Sequence, residues 1–167
     1  MRRGWKVVVA SLSGRPVKCS RDVVIVPDCS FAGADIARCD VIVLPGGAKG
    51  TEALAADARV LDAVRKLHAA GKLTAAICAA PLVLQAAGIL DGRNATCHPG
   101  VAGSLTKAKY KNSPVVIDGN VITSQGAGTA CEFALALVEK ISGKTTADSI
   151  RGAIVMAQPA TSAAQKA

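Results

Sequence analysis

The segment Leu73-Thr-Ala-Ala-Ile-Cys78-Ala-Ala-Pro81 constrains this chain more than any other. Its first five residues suit a buried strand, and they run without a polar loop into a stretch that reads as a helix over 79–87. Pro81 falls in the first helical turn, where a proline is tolerated, and Gly88 stops the helix. A strand that turns directly into a helix leaves Cys78 in a tight turn at the helix N-terminus. Unpaired N–H groups and the positive end of the helix dipole favour a thiolate there. The thiolate is the nucleophilic form, so the position suits a reactive cysteine. The alternative is a small buried hydrophobe, the usual role of a free cysteine.

The rest of the chain supplies a frame for that turn. Half of the 167 residues are hydrophobic, yet aromatics make up only 2%. The core is therefore built from Val, Ile, Leu and Ala, as in parallel strands covered by helices on both faces. The length suits one domain over residues 1–156, and residues 157–167 read as a mobile tail. Strands are expected at Trp5–Ala10, Asp40–Leu44, Leu73–Ile77, Val115–Ile117 and Val121–Thr123. A small hairpin is expected where Val17–Cys19 and Val23–Val26 flank Ser20-Arg21-Asp22, and a second across Asp118-Gly119. Helical spacing marks Glu52–Ala70, ended by Gly71, then Thr129–Ile141, ended by Gly143, and Thr146–Met156. Alternation of strands and helices predicts an α/β fold with a doubly wound, mostly parallel sheet. Sites in such sheets form at the C-terminal ends of strands. Gly46-Gly47, Cys78 and Ser124-Gln125-Gly126 all fall there.

Several function classes are disfavoured. No apolar run approaches the ~20 residues of a membrane span. Lys6 interrupts the N-terminal apolar stretch too early for a signal peptide, so the protein is expected in a reducing, cytoplasmic compartment. Six cysteines lie at 19, 29, 39, 78, 97 and 131, without CxxC or zinc-ligand spacing. The sequon Asn94-Ala-Thr96 then reads as chance. Gly46-Gly47-Ala-Lys49-Gly50-Thr51 lacks the Gly-Lys-Ser/Thr ending of a phosphate loop, which excludes ATP or GTP binding of that type. The net charge of +8 leaves nucleic acid open as a partner. Against it, the basic residues are scattered and have almost no aromatic companions on which bases could stack.

His98, in Ala95-Thr-Cys-His98-Pro99-Gly100, is one of two histidines. His68 sits late in a helix, where capping or solvation accounts for it. His98 is thus the plausible imidazole partner of a cysteine nucleophile, or else a structural turn residue. The N–H groups of Gly46 and Gly47 can form an oxyanion hole for a carbonyl attacked by Cys78; a plain turn pair is the alternative. Cys97 is read as facing away from the site and inert, with a second redox thiol as the other reading. Cys19, Cys29, Cys39 and Cys131 are read as structural.

These segments together resemble the ThiJ/PfpI superfamily, in particular its branch of Parkinsonism-associated, deglycase-like proteins. The resemblance is carried by Val17-Lys-Cys-Ser-Arg-Asp-Val-Val-Ile-Val-Pro-Asp28, Val43-Leu-Pro-Gly-Gly47, Ala75-Ala-Ile-Cys-Ala-Ala-Pro81 and Thr96-Cys-His-Pro99. It continues in Thr123-Ser-Gln-Gly-Ala-Gly-Thr129 and Glu132-Phe-Ala-Leu-Ala-Leu-Val-Glu139. It implies a flavodoxin-like fold that forms a homodimer, with Cys78 on a nucleophile elbow and His98 beside it. Gly46 and Gly47 match its oxyanion glycines, Ala79 and Gly126 complete the implied substrate-binding set, and Arg21 lies near the partner subunit. The implied activity is glutathione-independent glyoxalase or protein deglycase chemistry on small α-oxoaldehydes or their protein adducts, with no cofactor and no metal. Redox sensing and redox-regulated chaperoning by the same cysteine are the alternative. The family pattern also has a first strand and an acidic residue that hydrogen-bonds the cysteine. No residue here corresponds to them, so two strand edges are expected to lie open. Gln125 and Ala127 stand where the human-like branch commonly has arginine and proline. A related amidotransferase-type glutaminase is disfavoured, because His98 precedes Pro99 and no His-x-Glu occurs.

Overall fold

A computed structural model describes residues 4–156. The expected tail over 157–167 lies outside the described residues. In chain order the strands are β1 (Ala10–Ser11), β2 (Val17–Lys18), β3 (Val24–Ile25), β4 (Cys29–Ser30) and β5 (Val41–Leu44). Helices α1 (Ala48–Ala56) and α2 (Ala58–Ala69) follow, then β6 (Leu73–Ile77) and α3 (Pro81–Ala86). The remainder is β7 (Asn94–Ala95), β8 (Lys109–Tyr110), β9 (Val115–Asp118), β10 (Val121–Ser124), α4 (Ala130–Ser142) and α5 (Lys144–Ala153).

Among the described residues, the main sheet has the order β5-β6-β10-β9. β5 and β10 run parallel to β6, and β9 returns antiparallel to β10 across Gly119, whose φ of +63° suits a two-residue hairpin loop. The strand period of two sends alternate side chains to opposite faces. Ala76 and Val121 join α2 and α3 in one core cluster, with Val60, Val64, Val83 and Leu84. Ala75 and its register partner Ile122 join Phe133 and Leu137 of α4 in the other. Helices therefore cover both faces, as the sequence predicts. The alanines of β6 let α3 and α4 approach the sheet closely, which is how so few aromatics still fill the core.

Three expectations are corrected. Trp5–Ala10 is not a strand; only Ala10 and Ser11 pair, with Cys29 and Ser30. The Asp28 carboxylate accepts the Val9 N–H at 2.8 Å, Asp28 N–H donates to Val9 O, and Val7 and Val8 stand exposed. Extended residues without a neighbouring strand have no ladder to join. The second correction is that Glu52–Ala70 is two helices. Asp57 leaves the helical region (φ −91°, ψ 109°) and its side chain accepts from Arg59 N–H, capping α2. The Arg59 side-chain hydrogen bond also holds the Asp57 carboxyl down at about 2. The third is that α5 starts and ends earlier than Thr146–Met156.

The expected strand at Asp40–Leu44 is present as β5, at an edge of the main sheet, with Val43 46% exposed. The β1–β4 pair forms a separate two-stranded sheet.

His68 also differs from expectation. It is half-buried rather than solvated, and its Nε2 lies 3.3 Å from the Arg93 guanidinium. Arg93 in turn pairs with Asp118, which accepts from the backbone and side chain of Asn94. Burial and then the Arg93 charge push the His68 pKa below its ordinary 6.5. The unfolded chain takes up that proton near 6.5, whereas the folded chain resists it. The contribution to stability is complete above 6.5 and is lost as pH falls below it. Melting temperature should therefore drop between pH 7.5 and 5.5, and His68→Gln should flatten the profile. An equally steep profile in the variant would remove His68 from the account.

Candidate active site

Cys78 follows β6 directly and takes a left-handed backbone, with φ +66°. That region is uncommon for residues other than glycine and needs support from its surroundings. Two hydrogen bonds provide it. Cys78 N–H donates to Ser124 O of β10 at 3.0 Å, and Cys78 C=O accepts from His98 N–H at 2.8 Å. The turn closes when Ala80 N–H donates to Ile77 O, and α3 begins at Pro81. The strand-to-helix elbow expected from the sequence is present, and the thiol on it is half-buried.

Gly46 lies against this elbow. A Cβ at Gly46 would sit 2.5 Å from Cys78 Cβ and 3.2 Å from Cys78 Sγ, closer than real carbon contacts allow. Only glycine permits this approach. Gly47 instead needs its freedom for a φ of +93° at the start of α1. Ala79 is buried just past the elbow. Among the described residues, the N–H groups of Gly46, Gly47 and Ala79 find no acceptor. These free donors border the thiol, so the surroundings suit an anion forming next to sulfur.

Gly126 lies at the rim of this group. Its N–H is taken by Thr129 Oγ1 at 3.1 Å. Thr129 Oγ1 also lies 2.7 Å from the buried Ser124 Oγ, which donates to Pro114 O. This cluster fixes the loop after β10 and sets Gly126 beside the His98 ring, where a Cβ would meet Cδ2 at 3.6 Å. Thr129 was not singled out from the sequence; a threonine at a helix start was its only signal.

His98 begins a 3-10 turn over Pro99–Ser104, and its Nδ1 accepts from Gly100 N–H at 3.0 Å. The neutral ring therefore carries its proton on Nε2 and acts as a donor on that side. The preceding residues are fixed by Thr123 Oγ1, which accepts from Thr96 N–H at 2.9 Å in a fully buried setting. The structure thus brings Cys78, His98, Gly46 and Gly126 together around the ends of β5, β6 and β10. Among the described residues, no side chain hydrogen-bonds the Cys78 sulfur, and no carboxylate lies there to do so. Glu52 is exposed on α1 and Glu132 is in the first turn of α4.

Arg21 is apart from this group. It sits with φ +61° in the turn between β2 and β3, exposed, and no hydrogen bond or ion pair joins it to Cys78. Among the described residues no group of His, Cys, Asp and Glu is arranged to hold a metal ion. No helix among them is long and apolar enough to cross a membrane.

An α/β sheet with a cysteine on a strand-to-helix elbow, bordered by glycine donors and a histidine, defines a class of thiol-bearing flavodoxin-like domains. The chain belongs to the DJ-1/PfpI family, whose model matches residues 1–140. It is 43% identical over 159 residues to protein dj-1beta of Drosophila melanogaster, covering 93% of this chain and 85% of that one. The crystal structure of that DJ-1beta superposes with a TM-score of 0.88 over 92% of this chain and 84% of the other. The glutathione-independent glyoxalase DJR-1.2 of Caenorhabditis elegans is 38% identical over 160 residues, covering 95% of this chain and 85% of that one. The oxidized DJ-1 of Toxoplasma gondii, 33% identical, superposes with a TM-score of 0.86 over 92% of this chain and 84% of that one.

The contact at Gly46 yields a direct test. Gly46→Ala should cost about 1–3 kcal/mol of stability, the range for overpacking a tight site. It should also slow alkylation of Cys78, because the added methyl displaces the thiol. Chemical denaturation and iodoacetamide kinetics measure the two effects. Unchanged stability and labelling would show that the elbow and the glycine are not in close contact.

Proposed function

We propose that this protein is a cysteine-dependent, glutathione-independent glyoxalase or deglycase acting on small α-oxoaldehydes or their protein adducts. The observation that carries this reading is the half-buried Cys78 thiol on an elbow bordered by three N–H groups without acceptors. The C. elegans relative named as a glyoxalase supports it.

The Cys78 thiolate attacks the aldehyde carbon, and a hemithioacetal forms as the carbonyl π electrons move to oxygen. The N–H groups of Gly46, Gly47 and Ala79 hold that oxyanion. His98, protonated on Nε2 while Nδ1 is occupied by Gly100, donates toward oxygen and moves protons between the two substrate carbons. Gly126 keeps the ring in place rather than donating. Cys78→Ala should lower methylglyoxal consumption and lactate formation by at least about 10³-fold. Full turnover in a folded Cys78→Ala variant would sink the mechanism.

The second reading is a redox sensor, and possession of chaperone activity would belong with it. One observation favours it: no carboxylate partners the Cys78 sulfur among the described residues. Peroxide oxidation needs a thiolate but no proton shuttle. Glyoxalase assays with wild-type protein separate the two, since a sensor leaves methylglyoxal untouched. In either case the protein is proposed to work in the reducing cytoplasm.

A homodimer is part of the proposal. The β2–β3 hairpin exposes Val23, Val24, Ile25 and Val26 next to Arg21, and Val26 is 72% exposed. A cluster of this kind marks an interface. Val24→Lys should shift the protein from dimer to monomer in sedimentation velocity. A wild-type chain that sediments as a monomer at micromolar concentration would remove the dimer.

A further inference from the structure

Cys97 has no part in the chemistry proposed above, yet it is the cysteine next to the elbow. Its neighbour His98 donates its N–H to the Cys78 carbonyl at 2.8 Å. Cys78 Cα and Cys97 Cα each lie two bonds from an atom of this hydrogen bond, which keeps them within about 7.6 Å of each other. That bound overlaps the span of about 4.4–6.8 Å that disulfides accept. Cys97 itself is fully buried, in the cluster with Ala80, Val83, Ala95 and Leu105. Its Sγ points a weak hydrogen bond at His98 O, 3.5 Å away, one peptide beyond the N–H that bonds Cys78. Burial, and after it the charge of Cys78, push the Cys97 thiol up.

The other cysteines lack this placement. Cys19 and Cys131 are exposed; Cys19 and Cys39 bond to carbonyls of their own turns. Burial gives Cys97 a particular character. Peroxide in solution does not reach it, whereas the elbow that carries Cys78 is hydrogen-bonded to the very next residue.

We propose that Cys97 is the resolving thiol of Cys78, closing an intramolecular disulfide after peroxide has oxidised Cys78. The inference rests on the reactivity of Cys78 proposed above. In the first step the Cys78 thiolate attacks hydrogen peroxide. An S–O bond forms, the O–O bond breaks, hydroxide leaves, and Cys78 becomes a sulfenic acid. In the second step the Cys97 thiol gives up its proton and its sulfur attacks the Cys78 sulfur. The S–S bond forms as the S–O bond breaks, and the departing hydroxide takes the proton as water. The net change is two thiols and one peroxide to one disulfide and two waters. The disulfide protects Cys78 from the irreversible sulfinate, and a dithiol reductant restores it. It also ties the segment carrying His98 to the elbow, switching the site off while oxidant persists. A high thiol pKa at Cys97 makes the second step faster as pH rises.

The test uses the full chain with a few equivalents of hydrogen peroxide, then N-ethylmaleimide and tryptic digestion without reductant. Cleavage after Lys72, Arg93 and Lys107 places Cys78 in peptide 73–93 and Cys97 in peptide 94–107, each with a single cysteine. The expected product is the linked pair, 2 Da below the summed mass, recovered from the monomer band of a non-reducing gel. Cys97→Ala should abolish the link and raise the fraction of Cys78 carrying two added oxygens several-fold. The wild-type measurement stands by itself if that variant fails to fold. Cys78 as sulfinate with Cys97 maleimide-labelled in the wild type overturns the disulfide and leaves Cys78 reactive. Cys78 recovered as an unoxidised, labelled thiol overturns both this inference and the reading on which it rests.

Discussion

The peptide unit of Cys78 is the point at which three parts of the molecule meet. Its N–H is bound to β10, its C=O to the N–H of His98, and its side chain packs on Gly46. The positive φ of this residue is a strained conformation, and these contacts hold it there. The same contacts position the chemistry. Whatever fixes the elbow also fixes the histidine and the glycines, so structure and site share one set of supports.

The two core clusters explain how the elbow stays rigid. Ala75 and Ala76 are fully buried, one toward each cluster. A small side chain at each position lets helices press on both faces of β6, immediately before Cys78. Larger residues there would push α3 or α4 away and loosen the turn that follows. The low aromatic content thus has a mechanical reading: thin layers pack close behind the site.

Much of this was legible in the sequence because it depends on local pattern. Cys78, Gly46, His98 and the Asp118-Gly119 hairpin lie in short segments whose spacing dictates strand, turn or helix. What could not be read depends on partners distant in sequence. The valines at 7–9 have a strand-like pattern, but pairing needs a neighbour and pattern says nothing of neighbours. Asp57 interrupts a run with helical spacing on both sides, and only its bond to Arg59 N–H shows that it begins a new helix. Nothing local indicates that Thr129 Oγ1 accepts the Gly126 N–H. The side of His98 that carries the proton follows from Gly100, and no motif encodes a tautomer.

The edge position of β5 has a consequence for how the molecule fails. An outer strand is held to the sheet along one side only, so it belongs to the part that opens at the lowest free energy. Its C-terminal end carries the turn that presses on Cys78. When β5 peels away, Gly46 and Gly47 leave with it, while β6 and β10 remain paired at the centre. Local melting therefore parts the glycine turn from Cys78 before the chain unfolds. A population that still looks native by its helices can already have lost that packing.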